Sequence, residues 1–203
     1  MTLGFSELSL PGVILFEPNV FEDERGFFME TYHILKYGRA GLDRPFVQDN
    51  LSHSRRSVLR GLHYQLHHPQ RKLIYVISGE ILDVAVDIRQ GSPTFWQWSS
   101  IRLSAENWRQ LYVPEGFAHG FCVLSEFADV MYKCTDLYAP GDEYGILWSD
   151  PDLAIDWQIE NPVLSEKDAG NPLLKEIPAG CLPPFLGDLE AGAEPLVDTT
   201  IVY

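Results

Sequence analysis

The stretch "EILDVAVDIR", residues 80–89, alternates side chains with a period of two. In a β-strand, successive side chains point to opposite faces of the sheet. The two alternating sets are Leu82, Val84, Val86 and Ile88 on one face and Ile81, Asp83, Ala85 and Asp87 on the other. Because the first set is wholly apolar, the stretch predicts a strand that buries at least this face.

Strand patterns also occupy much of the chain on either side of this stretch. The run "KLIYVISG", residues 72–79, is rich in β-branched and aromatic side chains, and residues 78–80 predict a turn after it. Further strand candidates, mostly separated by Pro, Gly or Asp, are "GVILFEP", "FVQDNLSHS", "VLRGLHYQ", "FWQWSSIRLS", "RQLYVP", "HGFCVLS" and "ADVMYKCTD". Many short strands in one domain predict an all-β fold: a sandwich, a jelly roll or a barrel.

Helical patterns are few. One helix is predicted within residues 29–41, ending at Gly41, and a short second one within "SEKDAGNPLL", residues 165–174. The stretch 181–203 is rich in Pro, Gly and acidic residues, which predicts a loosely ordered C-terminal tail behind a single domain of residues 1–180.

The chain is acidic overall but concentrates its positive charge. Its 203 residues have a formal net charge of −14, whereas residues 50–79 contain no Asp or Glu and include five Lys or Arg and four His. An acidic protein is a poor partner for nucleic acid or an anionic membrane, both of which need Lys and Arg clustered on an outer face. A locally cationic segment instead predicts a small anionic ligand.

The cysteines and the N-terminus indicate a cellular location. Cys122, Cys134 and Cys181 are odd in number and show no CxxC spacing, so neither a disulfide framework nor a zinc site is predicted. The N-terminus lacks the pattern of a signal peptide, and no segment approaches the length of a membrane span. We therefore expect a protein of the reducing cytoplasm with no membrane partner.

His63, in "VLRGLHYQ", is a candidate general base. A lone His is more often a satisfied core residue, but the nearby cations Arg60 and Lys72 disfavour a charged imidazole and so favour a neutral ring that can accept a proton. Strict alternation would place Arg60 and His63 on opposite faces of the strand. Gly61 lies between them, where an extra residue is tolerated, and we predict a β-bulge there that turns both side chains to one side.

His119 lies in "VPEGFAHGF", whose P-x-G-x-x-H spacing matches the second half of the cupin signature. The first half supplies a His-x-His pair in metal-binding cupins, but here it reads "HYQ", and the second imidazole is missing. A catalytic metal generally needs about three N, O or S ligands. We therefore expect no metal, and the alternative of a metal-dependent cupin dioxygenase predicts close to one iron per chain.

Two further side chains are candidates for proton transfer. Tyr132 shares a strand face with Val130 and Cys134, and it is either a core aromatic or a phenolic proton donor. Asp168, in "SEKDAG", is either a carboxylate at a helix N-terminus or the partner that orients His63 in a His-Asp dyad. Spacing along the sequence leaves both alternatives open.

Several long motifs, in order from about residue 12 to about residue 174, resemble one family. They are "FEDERGFFMETY", "FVQDNLSHSRRSVLRGLHYQ", "RKLIYVISGEILDVAVDIR", "QLYVPEGFAHGFCVLSE", "YKCTDLY" and "LSEKDAGNP". The chain is thereby similar to the dTDP-4-dehydrorhamnose 3,5-epimerases, and the resemblance implies a cupin jelly-roll barrel. Two positions without a catalytic role depart from the family's usual residues, Leu51 in place of His and Ser57 in place of Gly, which leaves a different deoxysugar open as substrate.

The resemblance also implies roles for individual residues. His63 matches the proton-abstracting base and Asp168 its dyad partner, Tyr132 matches the proton donor on the opposite face of the sugar, and Lys72 matches the cation beside the C4 oxygen. Positions that match the nucleotide-sugar site are Arg25, Glu30, Gln48, Asp49, Asn50, Arg60, His119, Glu143 and Lys167. In this family the N-terminal strand crosses between the subunits of a homodimer, which implies that Arg25 reaches the partner's site.

The implied reaction is epimerisation at C3 and C5 of dTDP-4-dehydro-6-deoxy-D-glucose, without a metal or redox cofactor. Hydrogens on the carbons beside a ketone are acidic, and a cation such as Lys72 stabilises the enolate that deprotonation leaves. Three alternatives stay open: an epimerase of one carbon, a ketoisomerase of a related dTDP-4-keto-deoxysugar, and a sugar-nucleotide binding protein without activity. Tyr132 favours epimerisation, because a ketoisomerase needs no proton from the opposite face.

Overall fold

The computed structural model describes residues 3–187, and strands are the main element of this part of the chain. In the order of their pairing, a six-stranded sheet contains β1 (Gly4–Glu7), β2 (Ile14–Glu17), β10 (Gln110–Val113), β7 (Lys72–Ser78), β12 (Phe127–Cys134) and β5 (Gln48–Arg55). A five-stranded sheet contains β13 (Glu143–Gly145), β6 (Leu59–Gln65), β11 (Phe117–Val123), β8 (Glu80–Asp87) and β9 (Trp98–Ser104). The predicted all-β class is confirmed.

The remaining elements are short. A separate hairpin pairs β3 (Val20–Asp23) with β4 (Gly26–Met29). The helices are α1 (Ile34–Gly38) and α2 (Glu166–Ala169), and single 3-10 turns cover Leu174–Glu176 and Ala179–Cys181. Among residues 3–187, no helix is both long enough and apolar enough to cross a membrane.

Strand β8, which spans most of residues 80–89, is buried on both faces. Ile81 and Ala85 belong to the core between the two sheets, which also contains Ile74 of β7. Leu82 and Val84 belong to a second core on the outer face of the five-stranded sheet. Both faces of β8 therefore remove apolar area from water, which is the main favourable term in folding.

The chain passes from one sheet to the other at Gly79. The predicted turn at residues 78–80 is present, but β7 and β8 do not pair with each other, because each belongs to a different sheet. Gly79 has φ +81°, and a β-carbon at this position would collide with the carbonyl oxygen of Phe127. Only glycine fits this crossing without strain.

Strand β6 contains the predicted bulge. In its register with β11, the paired residues are His63 with His119 and Arg60 with Phe121. Gly61 and Leu62 therefore face Gly120 alone. Gly61 has φ +125°, and a β-carbon there would lie 2.6 Å from the Cα atom of Gly120. The bulge at Gly61 is confirmed, and Arg60 and His63 both line the same cavity as a result.

The first helix is shorter than the predicted span of residues 29–41. Met29 instead ends β4, where it pairs with Val20. His33 precedes α1, and its ring nitrogen Nδ1 accepts a hydrogen bond from the Leu35 N–H at 3.2 Å. This cap satisfies one of the free N–H groups of the first turn, which is why the helix begins after His33.

The first part of the predicted tail, residues 181–187, lies against the end of β8. The Phe185 N–H donates a hydrogen bond to the Gln90 carbonyl at 2.9 Å. The Arg89 guanidinium lies over the Phe185 ring, 5.1 Å from its centroid. The rest of the predicted tail, residues 188–203, lies outside the described residues.

Candidate active site

Side chains from both sheets meet in one cleft. Two adjoining cavities, of about 290 and 300 Å³, lie between the sheets. The side chains that line both of them are His63, Lys72, His119, Tyr132 and Glu143. The cleft is therefore continuous across these residues, and all five are among the site residues predicted from the sequence.

His63 and Asp168 form a hydrogen-bonded pair. The Nε2 atom of His63 lies 2.5 Å from Oδ1 of Asp168, although 105 residues separate the two in sequence. Burial opposes ionisation of Asp168, but hydrogen bonds from His63, from Ser165 and from the Gly61 backbone outweigh it and leave its pKa below the ordinary value. An ionised carboxylate only accepts hydrogen bonds, so Nε2 carries a hydrogen and Nδ1 is left to take a proton.

A second carboxylate stands on the other side of the His63 ring. Glu143 Oε1 lies 4.0 Å from His63 Nδ1. Glu143 also accepts hydrogen bonds from the Lys167 ammonium and, at 3.2 Å, from the Tyr138 hydroxyl. Burial opposes ionisation of Glu143, but Lys167 and His63 outweigh it and lower its pKa. Glu143 therefore adds a second negatively charged carboxylate beside the His63 ring, on the side of Nδ1.

The wall opposite His63, formed by the six-stranded sheet, supplies Lys72 and Tyr132. Within residues 3–187 the Lys72 ammonium forms no hydrogen bond or ion pair, so it is available to a ligand. Burial lowers the pKa of Lys72, against the attraction of Cys134, Glu143 and Asp83. Burial likewise raises the pKa of the Tyr132 hydroxyl, which therefore keeps its proton at neutral pH. The geometry thus places a base and a phenolic acid on facing walls of one cleft.

His119 and Arg60 complete the wall that carries His63. The Nε2 atom of His119 lies 2.8 Å from Oδ1 of Asp83, which is completely buried. Arg60 donates from Nε to the Ser54 hydroxyl at 3.0 Å, which leaves its terminal nitrogens for an anion. Asp83 is absent from the sites predicted from sequence, and the feature that could have identified it is a carboxylate on an otherwise apolar strand.

One end of the cleft is lined by amides. Gln48 accepts a hydrogen bond from the Tyr138 N–H at 2.8 Å and donates to Oδ1 of Asn50 at 2.9 Å. Asp49 alternates with these two residues along β5 and faces the other way, where it pairs with Lys133 at 2.8 Å. Asp49 does not line either cavity of its own chain, and its predicted place among the binding residues stays a prediction.

Arg25 and Glu30 also lie away from the cleft of their own chain. Arg25 lies in the turn of the β3–β4 hairpin, where its side chain is 86% exposed and pairs with Asp23 at 2.5 Å. Glu30 pairs with Lys36 at 2.7 Å. Neither residue lines the cavities of its own chain, and the β3–β4 hairpin pairs with neither of the two larger sheets.

The donor set of the cleft does not fit a metal ion. Within the described part of the chain, no three His, Cys, Asp or Glu side chains are grouped in a way that could hold one. The Nε2 atoms of His63 and His119 are each hydrogen-bonded to a carboxylate. These pairs are suited to fixing the orientation of the two rings.

Known proteins of one family are similar to this chain. A family model described as dTDP-4-dehydrorhamnose 3,5-epimerase matches residues 7–176. The dTDP-4-dehydrorhamnose 3,5-epimerase of Pseudomonas aeruginosa is 57% identical over 165 residues, which cover 80% of this chain and 91% of that protein. These matches span nearly the whole region in which the sequence motifs lie.

Solved structures give the same result. The dTDP-6-deoxy-D-glucose-3,5-epimerase of Legionella pneumophila, in complex with dTDP-4-keto-L-rhamnose, is 49% identical, with a TM-score of 0.89 over 91% of this chain and 100% of that one. The 3'-monoepimerase ChmJ of Streptomyces bikiniensis, in complex with dTDP-quinovose, is 35% identical, with a TM-score of 0.81 over 87% and 91% of the two chains. The chain therefore belongs to the dTDP-4-dehydrorhamnose 3,5-epimerase family.

Proposed function

We propose that this chain converts dTDP-4-dehydro-6-deoxy-D-glucose to dTDP-4-dehydro-L-rhamnose by epimerisation at C3 and C5, a step of dTDP-L-rhamnose biosynthesis. The observation that carries the proposal is the placement of the His63–Asp168 pair and Tyr132 on facing walls of one cleft. The names of the relatives support the same substrate class.

The geometry suggests how each centre is inverted. His63 Nδ1 removes the hydrogen on a carbon beside the C4 ketone, and the electron pair moves into an enolate. The Lys72 ammonium stabilises the charge that develops on the C4 oxygen. Tyr132 then donates its proton to the carbon from the opposite face, and solvent restores both groups. The carbon keeps its substituents and changes only its configuration, so the reaction needs neither a metal nor a redox cofactor.

The cations around the cleft suit a nucleoside diphosphate. Arg60 and Lys167 line the second cavity, and the guanidinium of Arg60 can make paired hydrogen bonds to phosphate oxygens. Gln48 and Asn50 offer amide groups at the other end of the cleft. The cations and the amides thus lie in different parts of the cleft. This separation supports binding of the diphosphate in one part and of the rest of the nucleotide-sugar in the other.

The protein is proposed to act as a homodimer. Phe27 and Phe28, on the projecting hairpin, are 56% and 70% exposed, and Leu51, on the edge strand β5, is 65% exposed. Exposed large apolar side chains are typical of surfaces that contact another protein. A second copy of the chain would cover them and bring Arg25 of one subunit to the cleft of the other.

The proposed place of action is the cytoplasm. The three cysteines are free thiols, and Cys122 and Cys134 are buried, as expected of a protein folded under reducing conditions. The net charge of −14 disfavours binding of nucleic acid. It is compatible with a small anionic ligand bound where positive charge is concentrated locally.

Epimerisation of one carbon is the second candidate, because ChmJ, a 3'-monoepimerase, shares the fold. NMR of dTDP-4-keto-6-deoxy-D-glucose incubated with the protein in D2O separates the two. We expect deuterium at both C3 and C5, and its loss in His63→Ala. Label at a single carbon would establish the second candidate, and absence of label in a protein that binds dTDP would contradict both.

A further inference from the structure

A second pair of imidazole and carboxylate lies in the cleft beside the first. Asp83 of β8 and His119 of β11 are on neighbouring strands, with Oδ1 and Nε2 2.8 Å apart. Asp83 is completely buried, and His119 is 8% exposed. The other carboxylate oxygen of Asp83, Oδ2, has no hydrogen-bond partner among residues 3–187. Leaving a buried carboxylate oxygen unpaired costs free energy, so stability alone gives no reason for Asp83.

Asp87, four residues further along β8 and on the same face, shows what a structural carboxylate looks like here. Its two oxygens accept hydrogen bonds from Arg89, Ser92 and Thr94 at 2.6 to 3.0 Å. Both oxygens of Asp87 are therefore satisfied, and they tie a loop to the strand. Within residues 3–187, Asp83 is hydrogen-bonded to one side chain only, that of His119, which lines the cleft.

The two pairs are arranged alike. His119 lies directly opposite His63 in the register of β11 with β6. Each ring contacts a buried Asp through Nε2. Because an ionised carboxylate accepts hydrogen bonds and donates none, Nε2 of His119 carries the hydrogen of the neutral ring. The other ring nitrogen, Nδ1, then has an unshared electron pair and can accept a hydrogen bond from a ligand.

We propose that Asp83 is a positioning residue that fixes His119 with Nδ1 as a hydrogen-bond acceptor for a hydroxyl group of the keto sugar. Lys72 supplies a donor for the ketone oxygen, so the ketone and a hydroxyl each have one complementary partner. Two such contacts fix the rotation of the sugar ring, which brings a C–H bond to His63 and its opposite face to Tyr132. This inference rests on the proposed function, because it names a contact within that reaction.

The charge distribution supports this arrangement. Asp83 is one of three groups whose attraction opposes the effect of burial on the pKa of Lys72, together with Cys134 and Glu143. One buried carboxylate therefore acts on both side chains proposed to hold the sugar: on His119 through a hydrogen bond and on Lys72 through its charge.

A double-mutant cycle tests the inference. Asp83→Asn keeps the shape and removes the charge, and His119→Gln removes the ring. We expect Asp83→Asn to slow deuterium incorporation into dTDP-4-keto-6-deoxy-D-glucose by about 10–100-fold, the usual effect of losing such a partner. Binding of dTDP, which lacks the sugar, stays unchanged in calorimetry. In the His119→Gln background the same change has little further effect, because the two residues act as one unit.

The matched control is Asp152→Asn, which removes an exposed carboxylate that pairs with Lys175 on the surface. It should leave the exchange rate unchanged. A wild-type exchange rate in Asp83→Asn, or an equal loss with and without His119, would overturn the inference.

Nitrogen-15 NMR of the wild-type protein tests the same point without any variant. We expect the His119 ring to carry its hydrogen on Nε2 at neutral pH, and Nδ1 to change its shift when the dTDP-sugar binds but not with dTDP alone. A hydrogen on Nδ1 would contradict the inference even if Asp83→Asn failed to fold. A protein that shows the expected tautomer but no solvent exchange would instead contradict the proposed function.

Discussion

Asp168 determines which nitrogen of His63 is left free for a ligand. It holds Nε2 at 2.5 Å and is itself buried. Asp168→Asn keeps the shape but replaces an acceptor with a group that can also donate, so the ring loses its fixed tautomer. We expect kcat to fall by about 10²–10⁴-fold, in the range found for dyad partners and general bases. Steady-state kinetics with dTDP binding as control measure this, and near-normal kcat with normal binding would exclude a dyad.

Lys72 gives the reaction a pH dependence. The surrounding charged and titratable groups are Cys134, Glu143 and Asp83, and burial outweighs them, so its pKa lies below 10.5. The ammonium is needed in its charged form, and the rate should therefore decline on the alkaline side below pH 10.5. The hydroxyl of Tyr132 titrates above 10, because burial raises its pKa, and contributes only at higher pH.

Lys72→Arg separates these two contributions, since a guanidinium keeps its charge throughout this range. In this variant, the decline in rate that Lys72 causes at the lower alkaline pH should disappear. Only the decline at higher pH, which is due to Tyr132, should remain. Solvent exchange followed by NMR at a series of pH values is the measurement. An unchanged profile in Lys72→Arg would assign the decline to another group.

At the scale of elements, the bulge in β6 is what brings Arg60 and His63 to one cavity. Gly61→Ala places a β-carbon against the backbone of Gly120 at φ +125°. We expect it to lower the free energy of unfolding by at least about 1–3 kcal/mol, the cost of such a conformation for a residue other than glycine. Urea denaturation measures the loss.

Gly38→Ala is the matched control for this prediction, because a β-carbon at Gly38 meets nothing within 4 Å and φ is ordinary. At this end of α1 it should change the free energy of unfolding by no more than about 1 kcal/mol, in the stabilising direction. Equal stability of Gly61→Ala and Gly38→Ala would show that the bulge is not needed for the fold.

For the whole molecule, the proposed dimer decides where Arg25 acts. Arg25 lies outside the cleft of its own chain, so its role in binding requires a second subunit. Arg25→Ala and His63→Ala should each be inactive as homodimers. A heterodimer of the two has one cleft with both residues intact, and a closed two-fold dimer should therefore recover about half of the wild-type activity.

Co-expression with two different affinity tags isolates this heterodimer for the assay. No activity above that of the parent variants would place Arg25 in its own chain's cleft or outside the reaction. Sedimentation of the wild-type protein provides the independent check that a dimer forms.

Local pattern in the sequence was sufficient for much of the fold. Alternation predicted β8, because a strand buried on both faces still keeps its period of two. The bulge was predicted because Gly61 lies between two polar residues that alternation separates. The elements that are not predicted, β1, β3, β4 and β13, have three or four residues each, and periodicity is a weak signal at this length. The helix at residues 29–41 was placed too early because nothing local indicates that Met29 pairs with Val20.

The sequence by itself determined the strand class, the glycine that permits the bulge and, through long motifs, the family. Only the tertiary structure decided which side chains meet: that β7 and β8 belong to different sheets, that Asp49 faces away from the cleft, and that Asp83 supports His119. The physical reason is that strand pairing joins residues far apart along the chain, as it does for His63 and Asp168 across 105 positions. A local pattern places a side chain on a face, and only packing of the two sheets selects its neighbours.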